Sequence, residues 1–253
     1  MHRSAASTAQ TLSRVLDGSA GAPEACRAYF HDEPVLRAAG DRELYRAERD
    51  VLPPRDGVLD DGTGRRRWRL DRVRYPAADL PSGELNRSTG HWNPAGQWEV
   101  FQVDAGEVVL VVRAPGPGRA TELVRCGPGT VVPLLPGSWH LTYVWRGPAV
   151  VTNAYSVPGA PERPGEKYFT RGPLRCGLRR ERGRVVVFRD PADPVQDAGP
   201  PVWRAAPPGP ETGIPDLASV FAGDTTGERM ARLEEACARL RTGRARVEQR
   251  IGR

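Results

Sequence analysis

The chain has 253 residues, enough for one large domain or two small ones with a buried core. Glycine and proline contribute 28 and 25 residues, which favours many turns and short strands over a helical bundle. The formal charge of +6 comes from arginines spread along the chain, with Lys167 as the single lysine. The tight basic clusters, at 65–69 and 179–182, are short. We therefore predict solvated strand edges or hairpin tips there and no nucleic-acid-binding surface.

The cysteines stand singly, at Cys26, Cys126, Cys176 and Cys237, with no Cys-x-x-Cys pair to chelate zinc. This spacing predicts free buried thiols in a reducing compartment. No apolar run approaches the ~18–20 residues of a membrane span, and the N-terminus lacks a signal-peptide pattern. We therefore expect a soluble cytoplasmic protein that binds no membrane.

The front of the chain is predicted to be helical. Residues 4–17 have apolar residues at helical spacing, and a second helix is expected over 23–39 with an interruption near Pro34. Residues 41–51 are predicted to form a further polar turn or helix. Residues 1–42 are therefore interpreted as a helical N-terminal extension.

A strand pattern begins at Trp68, where apolar and polar residues alternate up to Tyr75. Further strand-like runs follow at 84–88, 99–112, 121–125, 130–135, 139–144, 149–156 and 184–189. Glycine and proline turns separate these runs, and no helical pattern lies between them. Short strands at this spacing predict an all-β fold, an antiparallel sandwich or barrel over residues 43–190.

The end of the chain is predicted to lie outside the barrel. Residues 191–224 form a proline-rich connector that we expect to hold neither a sheet ladder nor a helix. A C-terminal amphipathic helix is predicted over 225–253. Thr225 and Glu228 offer a capping box at its start.

Candidate metal ligands occur in two separate strand-like blocks. His91 and Asn93 lie two residues apart and can face one cavity, with Glu99 an even number of residues further on. His140 follows a proline–glycine turn in the second block and can close the site from the opposite side. Two imidazoles and one carboxylate suit iron(II), and also nickel, manganese or zinc. The amide oxygen of Asn93 would be a weak fourth ligand.

These blocks resemble the two motifs of the cupin superfamily. The first motif, Gly-His-x-His, a gap, Glu, six residues and Gly, is matched by Gly90-His91-Trp92-Asn93, Glu99 and Gly106. The second, Pro-x-x-x-His, is matched by residues 136–140. The resemblance implies a double-stranded β-helix, or jelly-roll barrel, and the helical N- and C-terminal extensions predicted above would flank it.

The chain also resembles the archaeal and bacterial cupin-type glucose-6-phosphate isomerases over roughly residues 43–190. Residues 44–51 look like that family's Leu-Tyr-x-x-Tyr-Arg-Asp-Val segment, and 84–94 look like its Glu-x-x-Lys-Thr-x-Gly-His-x-His-Pro segment. The resemblance implies a divalent metal, iron(II) in the first place. The metal would orient an open-chain sugar phosphate while a proton or a hydride moves between C1 and C2. It also implies a homodimer.

The resemblance further implies roles for individual residues. The metal ligands would be His91, Asn93, Glu99 and His140, and Glu99 and His140 would be the catalytic residues. The substrate-binding residues would be Arg87, Ser88, Gly90, Phe101 and Tyr155. Arg87 stands at the family's lysine and would hold the phosphate bidentately, and Ser88 stands at the family's threonine.

Two departures from the family pattern leave other functions open. Asn93 replaces the second metal histidine, and Phe101 replaces a tyrosine. A mononuclear iron(II) oxygenase acting on a small metabolite fits the reduced ligand set. A cupin that has lost its metal and serves as a binding module is the third interpretation. In every case the predicted partner is a small molecule.

Overall fold

The computed structural model describes residues 7–17, 30, 32–49, 51, 58–60, 66–76, 79–116, 119–158, 176–189, 201–206, 217, 233 and 235. Its elements are β1 (Ser7–Thr11), α1 (Leu12–Leu16), α2 (Glu33–Ala38), β2 (Glu43–Glu48), β3 (Val58–Asp60), β4 (Arg66–Tyr75), β5 (His91–Trp92), β6 (Glu99–Arg113), β7 (Thr121–Cys126), β8 (Val131–Leu134), β9 (Trp139–Pro158), β10 (Cys176–Glu181), β11 (Arg184–Arg189) and β12 (Val202–Ala205). The all-β prediction is confirmed by this composition.

The strands form one large sheet and one separate hairpin. The large sheet has ten strands in the order β1-β2-β4-β9-β6-β7-β12, with β3 on β4, β5 on β9 and β8 on β6. β10 and β11 make the hairpin. Every pairing in the large sheet is antiparallel except that of β12 with β7. Antiparallel strands joined in this way agree with the predicted cupin-type barrel.

Two long strands, β6 and β9, connect the two halves of the large sheet because each of them pairs with strands in both halves. The first half of β9 pairs with β5 and the end of β6, and its second half pairs with β4 and the start of β6. The register of β6 shifts between Val103 and Val108. Gly106 lies in this irregular stretch with φ +74°, and a Cβ there would meet the carbonyl oxygen of Pro148 at 2.4 Å. The motif glycine is therefore required by a close approach of two strands.

Side chains alternate between two faces of this sheet. The face that carries Glu99, here called the interior face, also carries the main apolar cluster. That cluster includes Phe101, Val103, Leu110, Val144 and Val151. A second cluster on the opposite, outer face lies under the β10–β11 hairpin and includes Leu85, Val109, Val111, Tyr143 and Leu178. Burial of both faces explains the nearly continuous apolar sequence of β6.

The N-terminal region differs from the predicted helical extension. In the described part of the first predicted helix, residues 7–11 form β1, which pairs with β2, and Leu12–Leu16 are helical. Residues 43–48, predicted as a polar turn or helix, are β2. In α2, Pro34 lies in the first turn, where a missing N–H costs nothing, so it begins the helix and does not interrupt it. The rest of the predicted second helix is largely outside the described residues.

The C-terminal part of the chain differs from its predicted structure at one point. Within the connector that was expected to hold no ladder, β12 pairs in parallel with β7, with Val202 opposite Glu122. Leu217 and Leu233 are buried against Trp68 and Leu70 on the outer face. The predicted C-terminal helix lies outside the described residues except at positions 233 and 235, which are helical.

Other predictions concern the hairpin, the cysteines and the membrane. The 179–182 cluster ends at the turn of the β10–β11 hairpin, as predicted. Cys126 is a buried free thiol. Residues 84–88 form isolated bridges in place of a continuous strand, at Glu84 and Arg87. None of the helices in the described ranges has the length and apolar character needed to span a bilayer.

Candidate metal centre

Two histidines and a glutamate converge at one end of the barrel. His91 on β5 pairs directly with His140 on β9, and the centroids of their rings are 4.3 Å apart. Glu99 is the first residue of β6. One ligand atom from each of the three residues lies within 4.8 Å of those of the other two. The sequence prediction that these residues share one site is therefore supported by their positions.

The cluster is mostly removed from water. Glu99 and His140 are buried, and His91 is half-buried. Nε2 of His140 lies 3.7 Å from Oε2 of Glu99. This separation is too long for a direct hydrogen bond. The imidazole nitrogen and the carboxylate oxygen can therefore both contact a third atom placed between them.

Gly90 brings the two strands into this arrangement. It has φ +73°, and a Cβ there would lie 2.9 Å from Cζ2 of Trp139 and 3.1 Å from the carbonyl oxygen of His140. A side chain at this position would therefore push β5 away from β9 and move His91 from His140. The structure shows this packing role for Gly90, which the sequence had assigned to substrate binding.

Asn93 lies beside the cluster and is engaged with Glu99. Its Nδ2 donates a hydrogen bond of 2.9 Å to Oε2 of Glu99. Its Oδ1 accepts a hydrogen bond of 3.2 Å from Nε2 of Gln97. All three side chains are buried. Because a carboxylate only accepts hydrogen bonds, the amide nitrogen of Asn93 must face Glu99, and its oxygen is used by Gln97.

Gln97 was missed by the sequence reasoning. It lies in the turn between β5 and β6, where a polar residue carries no periodic signal. Its backbone N–H donates to the carbonyl of Pro94 at 3.0 Å, which closes this turn and fixes the start of β6. The turn therefore supplies Gln97 and Asn93, and the hydrogen-bond chain that they form ends at Glu99 on β6.

The interior face continues from the cluster across β9 to β4. Tyr155 lies directly opposite Glu99, and Arg69 lies opposite Tyr155. In the next row, two residues away along each strand, Phe101 of β6 lies opposite Asn153 of β9, which lies opposite Asp71 of β4. Cross-strand partners point to the same face, so Tyr155 and Phe101 both share the interior face with Glu99. Phe101 is fully buried in the main apolar cluster.

Hydroxyl groups line the interior face on the other side of the cluster. Ser88 donates its backbone N–H to the carbonyl of Thr142 at 2.9 Å, and its Oγ accepts from the N–H of Thr142 at 3.1 Å. Thr142 lies two residues beyond His140 and therefore faces the same way. The phenol of Tyr75 is buried near Thr142 and Ser88, and burial raises its pKa well above the usual value. It is therefore a neutral donor at any physiological pH.

Arg87 is not brought to this cluster. It bridges to Tyr143 on the outer face, and its guanidinium lies 4.1 Å from the centroid of the Phe30 ring. Nε of Arg87 is 3.3 Å from Oε1 of Glu84, and both side chains are almost completely buried. The residue predicted to hold a phosphate is thus part of a buried ion pair on the opposite side of the sheet from Glu99.

The donor set is chemically suited to a divalent transition metal. Neutral imidazole binds iron, manganese, nickel and zinc, and a carboxylate supplies a hard anionic oxygen. The hydrogen bond from Asn93 orients Glu99 as second-layer contacts do in many metal sites. His91, Glu99 and His140 are therefore the described residues able to hold a metal.

Comparisons with known proteins give structural matches only. No protein-family model matches the chain, and no curated protein sequence does. Among solved structures, the chain is similar to peruvianin-I, a cysteine peptidase from Thevetia peruviana latex, with 14% identity over 39% of this chain and 53% of that one and a TM-score of 0.30. It is similar to a variant of Bacillus subtilis oxalate decarboxylase, with 13% identity over 47% of this chain and 26% of that one and a TM-score of 0.33.

A third match comes from a crystallographic study of DMSP lyases, with 12% identity over 47% of this chain and 50% of that one and a TM-score of 0.33. The chain thus spans between 26% and 53% of the lengths of these matched chains. At these TM-scores the matches indicate nothing about activity, so the function rests on the geometry of the site itself.

Proposed function

We infer that the protein is a metal-dependent enzyme of the cupin superfamily that acts on a small polar metabolite. The observation that carries this inference is the convergence of His91, Glu99 and His140 from three different strands, with ligand atoms within 4.8 Å of one another. Such a donor set, buried at the end of a barrel and next to polar side chains, has the features of a catalytic site.

His91, Glu99 and His140 would hold one divalent metal, with iron(II) favoured and nickel, manganese or zinc also compatible. When bound, such a metal supplies Lewis acidity toward a carbonyl or hydroxyl oxygen. Asn93 keeps Oε2 of Glu99 in place through its 2.9 Å hydrogen bond. The chain therefore provides a preorganised site, which reduces the reorganisation needed during a reaction.

The reaction that we favour is aldose–ketose isomerisation of a sugar phosphate of the glucose-6-phosphate type. A polyhydroxylated substrate needs many hydrogen-bonding groups, and the interior face offers Tyr155 opposite Glu99 and the hydroxyls of Ser88, Thr142 and Tyr75. The phenol of Tyr75 stays neutral and is therefore a further hydrogen-bond donor beside Ser88 and Thr142. Glu99 and His140 are the proposed catalytic residues because they lie beside the position where C1 and C2 would be held.

The first test is elemental analysis of the purified protein and of two variants. His140→Ala is expected to lose the metal, whereas Val112→Ala is expected to keep it. Val112 is the buried cross-strand partner of His140, so its variant controls for loss of packing at the same place. Stoichiometric metal in both variants would refute the proposed ligand set. Absence of metal from the wild type would favour the third interpretation, a binding module.

The second test addresses the reaction. Glucose 6-phosphate is incubated with the metal-loaded protein under strict anaerobiosis, and fructose 6-phosphate is measured with a coupled assay. We expect turnover that His140→Ala abolishes and Val112→Ala retains. A metal-loaded protein without turnover of any sugar phosphate tested would contradict the isomerase assignment while leaving the metal site intact.

A mononuclear iron(II) oxygenase is the second candidate, and one observation favours it. Asn93, at the position of a fourth ligand, has both amide atoms engaged by Glu99 and Gln97. This arrangement leaves two histidines and one carboxylate, the set used by many iron(II) oxygenases. Consumption of oxygen by the iron-loaded protein with a small organic substrate would support this candidate over the isomerase.

A further inference from the structure

The interior face carries two arginines that belong to no predicted site. On the outer face, Glu48 of β2 forms an ion pair with Arg74 of β4, and Arg46, the cross-strand partner of Arg74, points the same way. Tyr45 and Ala47 face the interior and contact the main apolar cluster. Arg49 follows in the same alternation and therefore also faces the interior.

Arg49 is anchored by a buried carboxylate. It forms an ion pair with Asp71, whose side chain is 1% exposed, while half of the Arg49 side chain remains exposed. Burial opposes the charge of Arg49, but Asp71 and the phenols of Tyr155 and Tyr45 raise its pKa above the ordinary value. The guanidinium is therefore a permanently charged group that is held by Asp71 at the end of a half-exposed side chain.

Asp71, which holds Arg49, lies on the same face of the sheet as Glu99 and two strands away from it. Asp71 is displaced from Glu99 by two residues along the strand direction, a step of about 6.6–7 Å, and by two strands across the sheet, a step of roughly 9–10 Å. Tyr155, the cross-strand partner of Glu99, interacts electrostatically with Arg49. The Cα atoms of Asp71 and Glu99 are therefore roughly 12 Å apart at standard sheet spacings, so a metabolite of several carbon atoms bound at the metal site can extend toward Arg49 on the same face.

Arg69 adds a second cation to this face. Its guanidinium carbon is 5.9 Å from the centroid of the Tyr155 ring, and Tyr155 lies between it and Glu99 in the sheet. Among the described side chains of these two rows, the cations Arg49 and Arg69 equal the carboxylates Asp71 and Glu99 in number, so a bound divalent metal would make the sum of these charges positive. A positive field in a partly buried cleft attracts and orients anionic ligands.

We propose that Arg49, supported by Asp71 and Arg69, forms an anion subsite that binds the carboxylate or phosphate group of the substrate. A guanidinium has five N–H donors in a planar fork, so the contact with Asp71 leaves donors for a second oxyanion. This proposal rests on the proposed function, because it assigns a charged group to the metabolite that the metal site would process. It replaces Arg87 as the predicted phosphate contact.

The test measures binding of inorganic phosphate and of malonate to the protein as purified, by isothermal titration calorimetry. The variants are Arg49→Gln, Arg49→Lys and the matched control Arg46→Gln, which removes a charge three residues away on the outer face. Because every variant keeps the residues of the metal cluster, direct contact of the anion with a metal contributes equally to all of them. The difference between Arg49 and Arg46 variants isolates the subsite.

We expect Arg49→Gln to weaken binding of the preferred anion at least about tenfold, and Arg46→Gln to change it by less than about twofold. Arg49→Lys keeps the charge and the pair with Asp71, so it is expected to fold normally and to weaken binding about three- to tenfold. It therefore provides the test if Arg49→Gln does not fold. Preference for phosphate or for malonate identifies which anion the subsite takes.

Two outcomes would overturn the proposal: wild-type protein that binds neither anion, or Arg49 variants that bind as tightly as wild type. The metal content of each sample is measured in parallel. Wild-type protein with no metal but with Arg49-dependent anion binding would refute the proposed function and leave the subsite standing. Metal-loaded protein without anion binding would refute the subsite alone.

Discussion

Replacing Asn93 by leucine tests whether this residue positions Glu99 or ligates the metal. Leucine has the same branched arrangement of heavy atoms as asparagine and a larger volume, so the substitution removes both hydrogen bonds without creating a cavity. The lost bonds are the 2.9 Å bond to Oε2 of Glu99 and the 3.2 Å bond from Gln97. Both lie among buried side chains, where a lost partner is not replaced by water.

The size of the effect follows from the type of each bond. A hydrogen bond to a charged group is worth about 1.5–3 kcal/mol, and one between neutral groups about 0.5–1.5 kcal/mol. Asn93→Leu should therefore lower the free energy of unfolding of the metal-free protein by about 2–4 kcal/mol. Loss of an orienting contact to a metal ligand typically weakens metal affinity by about 10- to 100-fold, and we expect a decrease in that range.

Asn86→Leu is the matched control. Asn86 is also a buried asparagine, and its Nδ2 donates a 2.8 Å hydrogen bond to the carbonyl of Leu44, away from the ligands. Urea unfolding should show destabilisation of both variants. Competition titration with a metal indicator should show weaker binding only for Asn93→Leu. The reasoning is wrong if Asn93→Leu binds metal like wild type, or if it abolishes binding as completely as His140→Ala.

Three further predictions concern the frame around the site. Gly106→Ala should lower the free energy of unfolding by more than the roughly 1–2 kcal/mol expected for Gly129→Ala, because both glycines have positive φ but only Gly106 has backbone within 3 Å of a new Cβ. Urea unfolding compares them, and equal costs would count against the close approach. Arg87→Met should cost about 3–5 kcal/mol by leaving Glu84 buried without its cation. Unchanged metal and anion affinity in a titration would confirm that this pair lies outside the site, whereas lost affinity would contradict it. Burial raises the pKa of Cys126 to about 12, so the native thiol should resist alkylation at pH 8, and peptide mapping that shows rapid labelling would refute its burial.

The barrel and the core of the site were predictable from sequence because their signals are local. Strong apolar alternation marked β4, and apolar runs marked β6 and β9. The turn residues between them separated the strands. The two histidines and Glu99 were predicted to meet because His91 and Glu99 lie an even number of residues apart and His140 follows a proline–glycine turn in a second strand-like block.

The terminal strands were not predictable in the same way. β1 has the sequence Ser-Thr-Ala-Gln-Thr, which has no apolar face, and it is a strand because it pairs with β2. β2 contains good helix formers and becomes a strand through its pairing with β1 and β4. β12 joins β7 from a distant proline-rich segment. Long-range pairing of this kind leaves no local trace in a single sequence.

The assignment of Arg87 shows a further limit, which concerns the two faces of a strand. Arg87 and Ser88 are adjacent, so in extended chain only one of them can face the cavity. The structure places Ser88 on the interior face with Thr142 and places Arg87 on the outer face opposite Tyr143. A motif that assigns both neighbours to one substrate group cannot hold for both in this geometry. An anion in the barrel must instead meet cations whose alternation agrees with Glu99, and Arg49 and Arg69 satisfy that condition.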